Sequence, residues 1–289
     1  MPTAFVDTMR LPFALNRRRS MTDRDDDYFE LLAQSLRVCA DYKPKFGTSG
    51  TAGLTRREFQ LRYGDDPFYR WVGLDSSLIY AAHKAAGGLT SIYRQLGKGG
   101  ERLFRQLLCD QLGLTAEQAI WTYKIPGPGG RSRTLELDGR IEFDDISDPS
   151  ARRRVEGWAD RIAADLDLDA AFKRQMRGAV FEVRQGYKSA DSKRQNADVA
   201  NASNAYAHLY VPSLVLLSTQ INEAVAARYV QARWLLMRGT LDGSETDSTY
   251  VFCRDVLGYD LGAFFERNSD RFRALLEDIV ASLLSPTDD

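Results

Sequence analysis

The segment AVFEVRQGYKSADSKRQNADVANA, residues 179–202, brings acidic and basic side chains together at the end of one predicted strand. Side chains in a strand alternate between two faces, so Glu182 and Arg184 share one face while Phe181 and Val183 share the other. A carboxylate is a ligand for hard divalent cations, and a guanidinium stays protonated and stabilises negative charge. This strand end is therefore the first candidate for chemistry.

A second carboxylate, Asp138, ends an alternating segment in RTLELDGRIEF and is followed by a predicted bend at Gly139. In a neighbouring strand it would lie opposite Glu182, and the two together predict an oxygen site for Mg²⁺. Glu101 opens a helix with a stripe of leucines, and its carboxylate is expected at the edge of the buried face. A plainer interpretation of Glu101 is a first-turn acid that complements the helix dipole.

Cations and amides follow the strand. Lys188, Lys193 and Arg194 are candidates for binding phosphates, and Gln195 and Asn196 for reaching the backbone or base edges of DNA. The alternative interpretation makes Asp138, Glu182 and Arg184 a salt-bridged structural network without a reaction. Both interpretations stay open at this level.

The amino-acid composition limits which kinds of catalytic or binding site the chain can form. The 289 residues carry 39 Lys and Arg against 40 Asp and Glu, so a polyanion would need a local basic patch. There are 2 histidines and 3 widely spaced cysteines, which leaves little material for Ser-His-Asp catalysis, structural zinc or a disulfide framework. A reducing, cytoplasmic location is expected, and no apolar run approaches the roughly 20 residues of a membrane span.

The elements that must position these residues indicate an α/β protein with helical additions at both ends. An amphipathic helix is predicted from Tyr28 to Tyr42. Residues 76–95 are expected to be helical, and a further helix follows Gly99-Gly100. The charged stretch between the predicted strands near residues 138 and 180 looks like a helical insertion. The aromatics Phe68, Tyr69, Trp71 and Tyr80 are predicted to be core residues rather than a base-stacking platform.

Between residue 97 and about residue 238, the predicted elements follow one another in a definite order. A helix with Glu101 comes first, then a strand with Asp138, a strand with Glu182-x-Arg184, a helix and an apolar strand. This order resembles the PD-(D/E)XK nucleases, and the run FEVRQGYKSADSKRQNADVANA looks like the second half of their signature in a type II restriction endonuclease. The resemblance implies a central mixed sheet flanked by helices and Mg²⁺-dependent cleavage of double-stranded DNA.

Two residues depart from that family's pattern. Leu137 stands where the family has proline, and Arg184 stands in the lysine position. Lys188 is the rival for the lysine role, because a fold-back at Gly186 would return it to the metal.

The resulting expectation is a mostly helical region 1–96 with DNA contacts, a nuclease core 97–240 and a helical region 241–289 packed on it. One metal site cuts one strand, so a homodimer is expected to cut both strands. The alternatives are a repair or defence nuclease of the same fold, an inactive DNA-binding module, and a structural or protein-interaction domain.

Overall fold

The computed structural model describes residues 21–47, 52–126, 132–186 and 201–286. Its helices are α1 Met21–Arg37, α2 Arg56–Gly64, α3 Pro67–Trp71, α4 Ser77–Leu112, α5 Pro149–Asp165, α6 Ala170–Gln175, α7 Glu223–Gln231, α8 Thr249–Val251, α9 Leu261–Arg267 and α10 Ser269–Leu284. Its strands are β1 Trp121–Pro126, β2 Ser132–Leu137, β3 Gly139–Glu142, β4 Gly178–Arg184, β5 Tyr210–Leu216 and β6 Leu235–Met237. Residues 201–207 are also helical, and a π-helical segment, Phe252–Leu257, continues α8.

The central sheet has four strands in the order β3-β4-β5-β6, antiparallel between β3 and β4 and parallel elsewhere. The predicted α/β class with a mixed sheet is therefore confirmed. The strands β1 and β2 form a separate antiparallel ribbon. Both faces of β4 are covered: Phe181 and Val183 belong to the main core, and Val180 belongs to a second cluster that includes Trp121 of the ribbon.

Helix α4 runs unbroken for 36 residues, from its Ser76 cap to the left-handed Gly113. The sequence predicted two helices here, because glycine pairs weaken a helix. The pairs instead admit close neighbours: a side chain at Gly88 would collide with Leu283 of α10, and one at Gly99 would crowd Leu32 of α1. Tertiary packing thus outweighs local propensity, and the division expected between residues 96 and 97 falls inside this helix.

The charged stretch between β3 and β4 was predicted to be a helical insertion, and its helical character is confirmed in α5 and α6. Helix α5 buries one apolar face that includes Val155, Trp158 and Ile162. The Trp158 ring stacks on Phe181 of β4 with 6.1 Å between ring centroids. Its charges lie on the outer face of a core helix, as expected for an amphipathic helix.

The prediction that Phe68, Tyr69, Trp71 and Tyr80 are core residues is only partly correct. Tyr80 is fully buried, but Phe68 is 62% exposed and Trp71 is 77% exposed. Both belong to α3, a five-residue helix without buried residues, which begins after the Asp66 cap. A helix of one turn has no second turn to complete a buried face, so its aromatic side chains point outward.

Within the described residues, no helix is both long enough and apolar enough to cross a membrane. The long helix α4 carries many polar and charged side chains.

Candidate functional site

The site lies where β4 ends and β3 begins. The antiparallel register pairs Gly139 with Phe181, so the preceding residue Asp138 comes opposite Glu182. This is the arrangement expected from the sequence. Asp138 sits at the junction of the ribbon strand β2 and the sheet strand β3, where the chain bends. The alternation of β4 sends Phe181 into the core and leaves Glu182 and Arg184 on the other face.

Arg184 brings the carboxylates together. Its guanidinium forms an ion pair with Glu182, and its Nη1 lies 3.8 Å from Asp138 Oδ2 and 3.9 Å from Glu101 Oε1. The Arg184 side chain is 13% exposed and the Glu182 side chain 8%. Four residues singled out in the sequence, from a helix, a bend and a strand, therefore form one cluster of three carboxylates and one guanidinium. Glu182 and Arg184 are the more buried members, and the side chains of Asp138 and Glu101 are 18% and 30% exposed.

Asp138 is held on both its side chain and its backbone. Its Oδ2 accepts a hydrogen bond of 2.8 Å from the Val183 amide, and its carbonyl oxygen accepts one of 3.0 Å from Arg105 Nε. Burial raises the pKa of Asp138 above its ordinary value, although the Val183 amide and the charges of Arg184 and Arg105 oppose this. The carboxyl is thus fixed in place and binds a proton more readily than a solvated aspartate does.

Glu101 lies in the second half of α4, far from a helix start, because the helix begins at Ser77. The interpretation as a first-turn acid is therefore wrong, since the helix dipole acts only near a terminus. Its side chain is 30% exposed and faces Arg184, at the edge of the buried surface as predicted.

Arg105 was missed in the sequence. It stands one helical turn after Glu101 on α4, so the two side chains point the same way. From there Arg105 reaches both the Asp138 carbonyl and Glu136 of β2, the latter at 3.4 Å. The signal present in the sequence was the i, i+4 spacing from Glu101, which was not used to predict Arg105.

The carboxylates suit Mg²⁺ in their chemistry. Asp138 and Glu182 supply hard oxygens, and Mg²⁺ in proteins is commonly held by one or two carboxylates, with waters and phosphate oxygens as the other ligands. In the described part of the chain, however, no group of three or more His, Cys, Asp or Glu is arranged to hold a metal ion. The Arg184 guanidinium lies against both carboxylates, so a cation bound there has to displace or share that contact.

The remaining predicted residues, Lys188, Lys193, Arg194, Gln195 and Asn196, lie outside the described residues. The description of β4 and the turn after it ends at Gly186.

A second ionic network occupies the opposite end of β3. Glu142 accepts hydrogen bonds of 2.8 Å from Arg177 Nε and from the Tyr210 hydroxyl, and its Oε2 lies 3.6 Å from Arg140. Arg140 also pairs with Asp145 at 3.1 Å. Two acids, Glu142 and Asp145, here meet two guanidiniums, Arg140 and Arg177, whereas Arg184 meets three acids. The charges at this end of β3 therefore balance, and Glu142 provides a matched control for Asp138 and Glu182.

No protein-family model, no curated protein and no solved structure matches the chain.

Proposed function

We propose that the chain is a Mg²⁺-dependent endonuclease that cleaves double-stranded DNA at a short specific sequence, as type II restriction enzymes do. The observation that carries the proposal is the cluster in which Asp138 and Glu182 face each other across neighbouring strands, with Glu101 and Arg184 beside them. Two carboxylates at one place supply the hard oxygens that Mg²⁺ prefers. A divalent ion bound there would neutralise the charge that Arg184 meets in this structure.

The topology supports a PD-(D/E)XK-type core. A helix with Glu101 precedes the antiparallel pair of β3 and β4, and helical residues 201–207 connect to β5, which lies parallel to β4. This is the order of elements expected for that fold, and it puts both candidate metal ligands at one end of neighbouring strands.

In the proposed mechanism each residue has its own role. Asp138 and Glu182 would hold Mg²⁺, and the ion would supply Lewis-acid charge at the scissile phosphate. Arg184 remains protonated and places positive charge against the phosphate oxygens as negative charge develops there. Glu101 orients the guanidinium. Proton removal from the attacking water cannot fall to Arg184, so it falls to Lys188 or to a second water.

The proposal includes a homodimer in the cytoplasm. Each copy carries one such cluster and cuts one strand, and a twofold axis between two copies matches a symmetric DNA sequence. Sedimentation of the protein, free and on cognate DNA, tests this part alone: a monomer in both conditions contradicts it.

Plasmid and phage DNA, incubated with the protein in Mg²⁺ and separately in EDTA, test the activity. We expect discrete bands that require Mg²⁺. Glu182→Gln should abolish them, and Glu142→Gln, at the other end of the same strand pair, should retain them. A smear instead of bands would favour the repair or defence nuclease without sequence specificity.

One observation favours a second candidate, an inactive DNA-binding module. The Arg184 guanidinium occupies the space between the carboxylates, as expected if a former metal site had become an ion-pair network. Arg184→Lys separates the two candidates. Cleavage gained by this variant marks a decayed site, and cleavage lost from an active protein shows that Arg184 serves the reaction.

A further inference from the structure

A large open cavity lies away from the carboxylate cluster. Its volume is about 1010 Å³, and its walls come from the segment after α1, the first half of α4 and the end of α10. The lining includes Thr90, Ser91 and Ser282. The Thr90 hydroxyl donates to the Ala86 carbonyl and the Ser282 hydroxyl to the Ala40 carbonyl, so these two stabilise the wall. Cavities of this size suit ligands as large as a nucleotide or a short stretch of a polymer.

The cavity concentrates positive charge. Lys43, Lys45, Lys84 and Arg94 line it, and Asp41 is the sole acid among the described residues of its wall. The chain as a whole has a net charge of −1, so this local excess of cations is not a consequence of composition. Positive side chains in a concave surface focus the potential and attract anions.

The cations of the cavity wall differ in burial, and packing between two segments holds them in place. Lys84 belongs to α4 and is only 6% exposed, whereas Lys43, Lys45 and Arg94 are exposed at the rim. Gly87 of α4 lets Tyr42 approach the helix, because a side chain at this glycine would collide with the tyrosine ring. That contact fixes the segment with Lys43 against the helix with Lys84 and Arg94.

The cavity and the carboxylate cluster lie along one side of α4. At 100° per residue, Arg94 and Thr90 each fall within about 20° of the direction of Glu101. With a rise of 1.5 Å per residue they are about 10 Å and 16 Å from it along the helix axis. These separations correspond to roughly three to five nucleotides of a DNA strand at 3.4 Å each.

We propose that this cavity binds phosphate groups. Ammonium and guanidinium groups are the chemistry that recognises a phosphate, and the wall carries four of them against one acid. The phosphate can come from the DNA backbone or from a small phosphorylated molecule. Assignment to DNA rests on the proposed nuclease function, whereas phosphate binding itself does not.

Tripolyphosphate is the probe for the site. Its binding is measured by calorimetry in EDTA at constant ionic strength, so that the carboxylate cluster plays no part. We expect binding by the wild type, at least a fivefold loss of affinity in Lys43→Met and in Arg94→Met, and no change in Lys98→Met. Lys98 is an exposed lysine on the same helix outside the cavity wall, which makes it the matched control. No binding by the wild type, or equal binding by Arg94→Met, would overturn the proposal.

DNA of unrelated sequence, titrated in EDTA at several salt concentrations, identifies the source of the phosphate. If the backbone occupies the cavity, each of Lys43→Met and Arg94→Met lowers the slope of log affinity against log salt by about 1. Lost tripolyphosphate binding with an unchanged DNA slope assigns the cavity to a small phosphorylated ligand. Absence of cleavage by a wild type that still binds tripolyphosphate contradicts the nuclease proposal and leaves this one standing.

Discussion

Replacing Arg184 by methionine should destabilise the protein and, at the same time, strengthen its binding of Mg²⁺. Methionine keeps much of the side-chain length but removes the charge, so Asp138, Glu182 and Glu101 are left together. Asp138 and Glu101 lie 3.8 Å and 3.9 Å from the guanidinium. At this separation and an effective dielectric constant of about 20, each attraction is worth about 4 kcal/mol before desolvation is subtracted.

Breaking a buried ion pair by removing one partner costs about 3–5 kcal/mol, and we expect a loss of this size in the free energy of unfolding at neutral pH. The loss should shrink in acid, because protonated carboxyls no longer need a counter-charge. Mg²⁺ at about 100 times its dissociation constant should restore about 2.7 kcal/mol. Urea unfolding of the wild type and the variant, in EDTA and in Mg²⁺, measures both effects.

Arg140→Met is the matched control, because Arg140 also meets two acids but Arg177 remains beside Glu142. Mg²⁺ should not rescue this variant. Should Arg184→Met fail to fold even in Mg²⁺, Arg184→Lys, which retains a charge but makes fewer hydrogen bonds, should show a smaller loss and a smaller rescue. Equal stability of Arg184→Met and the wild type, or an equal Mg²⁺ response in the two methionine variants, would refute the reasoning.

Three further outcomes are expected. Asp138→Asn should abolish cleavage but leave the free energy of unfolding at neutral pH within about 1 kcal/mol of the wild type. Burial raises the pKa of Asp138, so its charge destabilises the folded state. In urea unfolding at several pH values, the stability of the wild type should rise relative to that of the variant as the pH falls through that raised pKa. Asp25→Ala should lose about 2–3 kcal/mol at neutral pH, because Asp25 accepts a hydrogen bond of 2.8 Å from Arg267 and one of 2.6 Å from Tyr259. Burial alone would raise the pKa of Asp25, but these bonds lower it, so the difference in unfolding free energy should persist above the ordinary pKa of aspartate and vanish as the pH falls through the lowered value. Ca²⁺ should strengthen specific DNA binding without turnover, and Glu182→Ala should remove this enhancement in a titration of labelled DNA; equal enhancement in both proteins would show that Glu182 is not a metal ligand.

The candidate site was predictable because its signals are local. Period-two alternation assigned the faces of β4, and the bend at Asp138-Gly139 set the register that puts Asp138 opposite Glu182. The contact of Arg184 with Glu101 was less direct, because it depends on how α4 lies on the sheet. Element order suggested this neighbourhood, but periodicity alone does not specify distances between a helix and a strand.

The features that escaped prediction depend on tertiary contacts. The glycines of α4 weaken a helix in isolation, and only the presence of Leu283 and Leu32 explains why small residues are needed there. The exposure of Phe68 and Trp71 follows from the shortness of α3, which composition does not show. The cationic cavity joins residues from three distant segments, so no sequence window contains it.

The most direct test of the central claim is the rate at which the protein cuts DNA in Mg²⁺ when the acid is removed from one end or the other of the β3–β4 pair. If the cluster of Asp138, Glu182 and Arg184 is the catalytic centre, Glu182→Gln should lose cleavage to below detection. Glu142→Gln, which disrupts the ionic network at the opposite end, should cut at a rate close to that of the wild type. Equal cleavage by the two variants, or no Mg²⁺-dependent cleavage by the wild type on any plasmid or phage DNA, would contradict the claim.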